Sequence, residues 1–437
     1  MKLGILLAVM ALSSAGCING DLREAAAKLP EQEARMRALG LPMTAAELVP
    51  PRKTTSGKLA APLVEQFKLT RSKDISKAIA DPFRDPATPD WKALETTLTL
   101  NEGTLKLIER IAACDALGID HDWDQNVSLL FPEFAAIKEM SKVLAARAEL
   151  RAHQGQMDAA IQDLDRIGKL AGFCKEEPVL IAGLVTVAMV SIQSSAARYC
   201  AAYSPQREAD LAKLVQWLRS KPVQPDLVQA LRGEFYFALS LCRNMDLMGD
   251  IDKVLGVSPD SAPSEPIPAG QLRRSGLPEA LIQRAYLARF FEFWGDVFEA
   301  IKGTNDPVAI GDALKSAQQK YATRKEPSYR MLNILLPVFD QASLAYLRPK
   351  ASRNLATAYA RVLLHHSQSG QWPRNLMFQD SLLDDPYSGT WLGYSYDQNA
   401  GFKVWSVGPD RKDDGGVSVS KPGGTRDDVY AYPPGSR

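Results

Sequence analysis

Histidine and cysteine are scarce in this chain, with four and five residues among 437. That scarcity narrows the room for imidazole, thiol and metal chemistry. No G-x-S-x-G, H-E-x-x-H, P-loop or G-x-G-x-x-G stretch occurs either, so no catalytic residues are assigned. Charge of one sign is lacking too: 52 Lys and Arg stand against 51 Asp and Glu, a net +1. With no basic block interleaved with aromatics, nucleic acid is not an expected partner. From residue 59 to about 255 no useful strand-like alternation appears, and no unit recurs at a fixed period, which argues against a regular solenoid. What is present is ordinary globular composition, 46% hydrophobic and 24% charged, in a length that suits two or three domains.

The first sixteen residues have the form of a signal peptide. Lys2 is the charged start, residues 3–12 are the apolar core, and Ser13, Ser14, Ala15 and Gly16 precede Cys17. Ser-Ala-Gly-Cys resembles a bacterial lipobox, which implies lipidation at Cys17 and attachment to the membrane of an exported, envelope-located protein. Plain secretion into or beyond the periplasm and an uncleaved anchor are the alternatives. Two or more acyl chains would hold the protein stably, as one would not. In an exported protein Cys114, Cys174, Cys200 and Cys242 could form one or two disulfides, with three connectivities. Their apolar helical contexts fit buried free thiols as well.

Residues 17–58 form an anchor-proximal segment. Its Ala-, Glu- and Arg-rich stretch predicts a short helix or two standing off the anchor, and VPPRKTTSGK (49–58) predicts a linker. Residues 59–327 read as an irregular stack of α-hairpins. Leu94, Leu98, Leu105, Ile108 and Ile111 share a face, as do Ile137, Met140, Leu144 and Ala148. Residues 144–164, turning at Gly155, resemble a single tetratricopeptide-type hairpin. The uncharged run 179–197 is long enough to cross a bilayer, but Thr186, Ser191, Gln193, Ser194 and Ser195 dilute it, which predicts a central buried helix. Residues 256–278 carry five prolines and read as a loop. The stripe Tyr286, Phe290, Phe291, Phe293, Trp294 and Phe298 predicts core. Asp120, His121, Asp122 and Asp124 are dense but lack the Gly and final Glu of an EF-hand, so an inter-helix turn is expected. His365 and His366 point about 100° apart on a helix and cannot easily share one metal.

The final segment, 328–437, differs in texture. Leu355, Ala358, Tyr359, Val362, Leu363 and His366 mark a helix that Gly370 and Pro373 end. Residues 391–397 and 402–407 predict an antiparallel hairpin about the turn 398–401. Asp410, Asp413, Asp414, Asp427 and Asp428 follow among glycines, as a solvated acidic loop or as the hard oxygen donors that calcium prefers.

LATAYARVLLHHSQSGQWP, DPYSG, LGY, GFKVWSVGPD, the Gly-Gly pair and DDV, in that order over residues 331–432, resemble the soluble part of the type II secretion major pseudopilin. The resemblance implies a small α+β domain with a short antiparallel sheet and a calcium-holding loop. Within it, Asp410 and Asp428 match the calcium-binding carboxylates, and the Val407 carbonyl is a candidate backbone ligand. Arg411 stands where that family usually has Gly. The long apolar assembly helix of the family does not precede residue 331, so pilus assembly by the usual route is not implied. The whole layout is similar to bacterial envelope lipoproteins with a helical body.

The expectation is therefore a mainly α protein with a small α+β pseudopilin-like end. It would act as a non-catalytic scaffold or interaction module toward an envelope protein. A helical ligand-binding lipoprotein with a cavity near residues 280–301 is the alternative, and a hydrolase built on His121 or His153 is a third.

Overall fold

The computed structural model describes residues 19–49, 57–71, 75–81, 86–123, 129–205, 207–220, 222–243, 277–329, 332, 340–376, 383–417 and 428–432. The signal segment 1–16, Cys17, most of the 49–58 linker, Asp124, residues 256–276 and Asp427 lie outside them. So do the side chains of Asp428 and Val429.

The architecture is mainly α with a small antiparallel sheet at the end of the chain, as the residue patterns predict. The helices are α1 (Leu29–Ala38), α2 (Ala61–Thr70), α3 (Trp91–Leu100), α4 (Glu102–Ala112), α5 (Pro132–His153) and α6 (Met157–Lys175). They continue with α7 (Leu180–Tyr203), α8 (Glu208–Leu218), α9 (Leu227–Arg243), α10 (Glu279–Ala300), α11 (Pro307–Ala322) and α12 (Arg348–Ser369). Local chemistry sets their ends. Asp90 caps α3 by accepting from Ala93 N, and Asp306 caps α11 by accepting from Val308 N. Pro132 and Pro307 occupy first-turn positions, where a missing N–H costs nothing. Gly370 closes α12 in the left-handed conformation, φ +68°, with its N–H on the His366 carbonyl.

α5 and α6 form an antiparallel hairpin whose turn is Gln154–Gly155–Gln156, with Gln156 N on Arg151 O at 2.8 Å. α7 packs against α5, α6, α9 and α12. It is long and apolar enough to cross a membrane, yet over half of its most apolar stretch is buried against these neighbours. Thr186 turns its hydroxyl onto Ala182 O, Ser191 onto Val187 O, and Gln193 donates to Leu164 O, so these three polar residues of the run are satisfied inside the protein, whereas the Ser194 hydroxyl is buried without a partner.

A second core lies under α1, α9, α10 and α11. Phe290, Phe291, Phe293 and Trp294 of the aromatic stripe are each 3% exposed or less. They stack on one another, on Phe235 and on Tyr321. The stripe is core, and burying each ring contributes about 2–3 kcal/mol. Residues 19–48 pack against the helical body. Leu22, Ala25, Met36 and Leu41 are buried against α9 and α10, and Arg35 bridges Asp296 and Glu299.

The sheet is β1 (Gly393–Asp397), β2 (Gly401–Ser406) and β3 (Asp428–Tyr432), in that order and antiparallel throughout. The Asp397 carboxylate accepts from Asn399 N and Ala400 N and so builds the β1–β2 turn. Trp391 is not part of β1 but bridges Asp384. β3 is new relative to the sequence reading, which assigned Asp428 to a loop. Here its backbone pairs with Ser406. Leu355, Tyr359 and Val362 of α12, with Phe402 and Val404 of β2, belong to the same apolar core as α5–α8. The C-terminal segment and the helical body therefore share one core.

Candidate functional site

The C-terminal loop is organised from below by Asp385, the first residue of DPYSG. It is 1% exposed. Its carboxylate accepts from Tyr387 N at 3.1 Å, Ser406 Oγ at 2.8 Å and Val407 N at 2.8 Å. Asp385 thus ties the 385–390 turn to the end of β2, and Asn354 of α12 donates to the neighbouring Asp384 carbonyl. A buried carboxylate demands such donors, so this is the structural job of the motif.

Above it, Trp405 lies between Gly393 and Gly416. A Cβ at either glycine would collide with the indole ring. Gly416 also has φ +72°, a conformation that glycine adopts without strain. Trp405 Nε1 donates to Asp413 Oδ1 at 2.9 Å, and Gly415 N donates to the same oxygen at 2.9 Å. Asp413 therefore holds the Gly-Gly turn over the indole. Asp410 is half-buried. Its Oδ1 accepts from Lys412 N at 3.3 Å, whereas its Oδ2 is buried without a hydrogen-bond partner. Asp414 is exposed. Arg411 has φ +61°, the one non-glycine positive φ among the described residues. Among the described residues no three His, Cys, Asp or Glu side chains converge on one point. Asp410 Oδ2 is buried without a partner, and the Asp428 backbone is fixed opposite Ser406.

The histidines are dispersed. His121 faces Glu133 at 3.2 Å, both side chains buried, beside Trp123 and Phe131. His153 stacks on Trp91 with centroids 4.3 Å apart. His366 lies against Trp372, and burial, then its neighbour His365, lowers its pKa. The four described cysteines are unpaired and buried. Burial pushes the Cys242 thiol up to about 12 and raises Cys174 and Cys200 further.

A second place was not singled out by sequence. At the end of the α5–α6 hairpin, Asp163 is fully buried and receives three arginines. Arg147 Nε and Nη2 reach it at 2.8 and 2.5 Å, Arg151 Nη1 at 2.6 Å and Arg166 Nη1 at 2.7 Å. Glu109 of α4 adds an ion pair to Arg147 at 2.9 Å. Burial opposes the Arg147 charge, but Asp163 and Glu109 outweigh it, and its pKa is raised. For Arg151 burial prevails, helped by Arg147 and Arg166, and its pKa is lowered. Beside this cluster a cavity of about 400 Å³ opens between α3, α4 and α5. The signal in the sequence is Arg147 and Arg151 one turn apart on α5, with Asp163 and Arg166 on the returning helix.

Near α10 the aromatic face is filled. The cavity there, about 280 Å³, lies on the charged face between Lys28, Arg35, Arg289, Glu292 and Asp296. No protein-family model, curated protein or solved structure matches this chain.

Proposed function

We propose that this chain is an exported envelope protein, held at the membrane by lipid on Cys17, whose body is a non-catalytic scaffold for a protein partner. The observation that supports the scaffold reading is the shared core. α12 begins the C-terminal segment, yet its apolar face is built into α7 and α8, and buried Arg353 fastens it to the end of α8. A body and tail locked together in this way present a fixed surface, which is what a scaffold requires. The signal-like start ending in Ser-Ala-Gly-Cys supports the anchor.

The pseudopilin-like reading of the tail adds calcium as a stabilising ion on Asp410, Asp428 and the Val407 carbonyl. Asp410 Oδ2, buried without a partner, favours it. A bound ion would supply the charge that this oxygen lacks.

Labelled palmitate followed by fractionation tests the anchor. Label in the membrane fraction is expected for the wild type and none for Cys17→Ala; an unlabelled wild type removes the lipid anchor. In-cell crosslinking of the full chain tests the scaffold. One discrete adduct with another envelope protein is expected, and a chain that never crosslinks beyond itself overturns the reading.

A further inference from the structure

The cavity between α3, α4 and α5 has a polar floor with donors to spare. Arg147 spends Nε and Nη2 on Asp163 and Glu109, and Arg151 spends only Nη1, on Asp163 and the Ala159 carbonyl. Arg147 Nη1 and Arg151 Nε and Nη2 have no acceptor among the described residues. The Arg147 side chain is 9% exposed and that of Arg151 25%, and both line the cavity. These donors face the cavity rather than closed protein, so an anion that enters it can accept charge-assisted hydrogen bonds from them.

Charge then narrows the ligand. The three guanidiniums of Arg147, Arg151 and Arg166 face the two carboxylates of Asp163 and Glu109, which leaves one positive charge at the floor. At the rim Glu102 is neutralised by Lys106 at 2.8 Å. Glu95 has only the neutral Gln154 amide, at 3.1 Å, and leaves one negative charge. Leu98, Leu105 and Leu150 line the space as well. A phosphate dianion would have a single net cation to hold it and would also meet the unbalanced carboxylate of Glu95. A monoanion attached to an apolar stem and an ammonium matches all three surfaces.

We propose that this cavity binds a zwitterionic, amino-acid-like group. The carboxylate lies on the free donors of Arg147 and Arg151, the apolar stem against Leu98, Leu105 and Leu150, and the ammonium toward Glu95. The group is that of a free amino acid, because the C-terminus of a polypeptide has the carboxylate without the neighbouring ammonium. The proposal stands independently of the envelope-scaffold reading.

Isothermal titration calorimetry on the full chain tests it, with leucine, N-acetyl-leucine, leucinamide and the tripeptide Ala-Ala-Leu as probes. Saturable binding of leucine is expected, tighter than that of Ala-Ala-Leu, whose terminal leucine has no α-ammonium. Each blocked leucine should bind about ten-fold more weakly than leucine or worse, having lost one charge-assisted contact. Arg151→Gln should weaken the tighter probe about ten-fold, and so should Glu95→Gln. Glu95 is exposed, so that variant keeps the wild-type melting temperature and remains decisive if Arg151→Gln folds poorly. No saturable heat from leucine overturns the proposal, and so does a tripeptide that binds as tightly as leucine. Equal binding of leucine and N-acetyl-leucine does so too, as does unchanged affinity in Glu95→Gln.

Discussion

The Arg353 guanidinium stands 3.9 Å from the ring centroid of Trp217. It donates to the Trp217 and Leu218 carbonyls at 3.2 Å each and to Ser220 Oγ at 2.9 Å. These carbonyls are the open end of α8, where partial negative charge collects, so a cation there is favoured. The arrangement is costly in another respect: burial lowers the Arg353 pKa to about 10, with Asp165 pulling the other way. Its geometry couples the C-terminal helix to the body. Arg353→Ala is expected to destabilise the protein by about 2–3 kcal/mol in urea unfolding. A double-mutant cycle with Trp217→Leu should show coupling of roughly 1 kcal/mol. Additive effects would show that the stacking contributes nothing.

Glu149 makes stability depend on pH. Burial pushes its carboxyl up to about 8 from 4.5, with Arg198 pulling it back. The folded protein therefore holds a proton that the unfolded chain releases. The contribution is fully present below about pH 4.5 and is lost as pH rises through 8. At pH 7 the deficit is on the order of 3 kcal/mol. Glu149→Gln should be more stable than the wild type at pH 8 and should flatten this part of the stability profile. Parallel profiles from pH 5 to 8 would rule the assignment out.

Arg411 sits at φ +61°, where a side chain crowds its own backbone. Replacing it with glycine removes that strain at the expense of a floppier unfolded chain. A net gain of about 0.5–1 kcal/mol is expected for Arg411→Gly. Differential scanning calorimetry measures it, and a loss would mean that the exposed guanidinium has a stabilising contact of its own.

Gly393→Ala would drive a methyl into the Trp405 indole. About 1–3 kcal/mol of stability should be lost, and the Trp405 indole N–H, released from Asp413, should exchange faster by NMR. An unchanged indole resonance would contradict the sandwich of Trp405 between two glycines.

Calcium added to the full chain should raise its melting temperature, because an ion bound only by the native state stabilises it. Asp410→Asn should abolish the rise. Identical melting in calcium and in excess chelator would remove calcium from the account, leaving Asp413 and the Gly-Gly turn as a cover for Trp405.

Much of the architecture was legible in the residues. Helix periodicity, Gly370 and the hairpin about Gly401 depend on neighbours within a few positions, so the local chain determines them. The aromatic stripe of α10 was legible as core for the same reason: six large apolar side chains on one helix must be covered. β3 was not, because five residues of DVYAY acquire strand character only by pairing with β2. The docking of residues 19–48 was not legible, because the surfaces of α9 and α10 that cover them lie far along the chain.

The sequence by itself therefore determined a helical body, a small terminal sheet, and a start that looks like an export signal ending at Cys17. The tertiary structure alone decided which charges meet. Asp163 gathers arginines from two helices, Arg353 finds carbonyls 133–136 residues away, and Asp385 closes on Val407. Hydrogen bonds and ion pairs act over about 3 Å, so such pairings depend on where the chain returns in space, which the order of residues along it does not display.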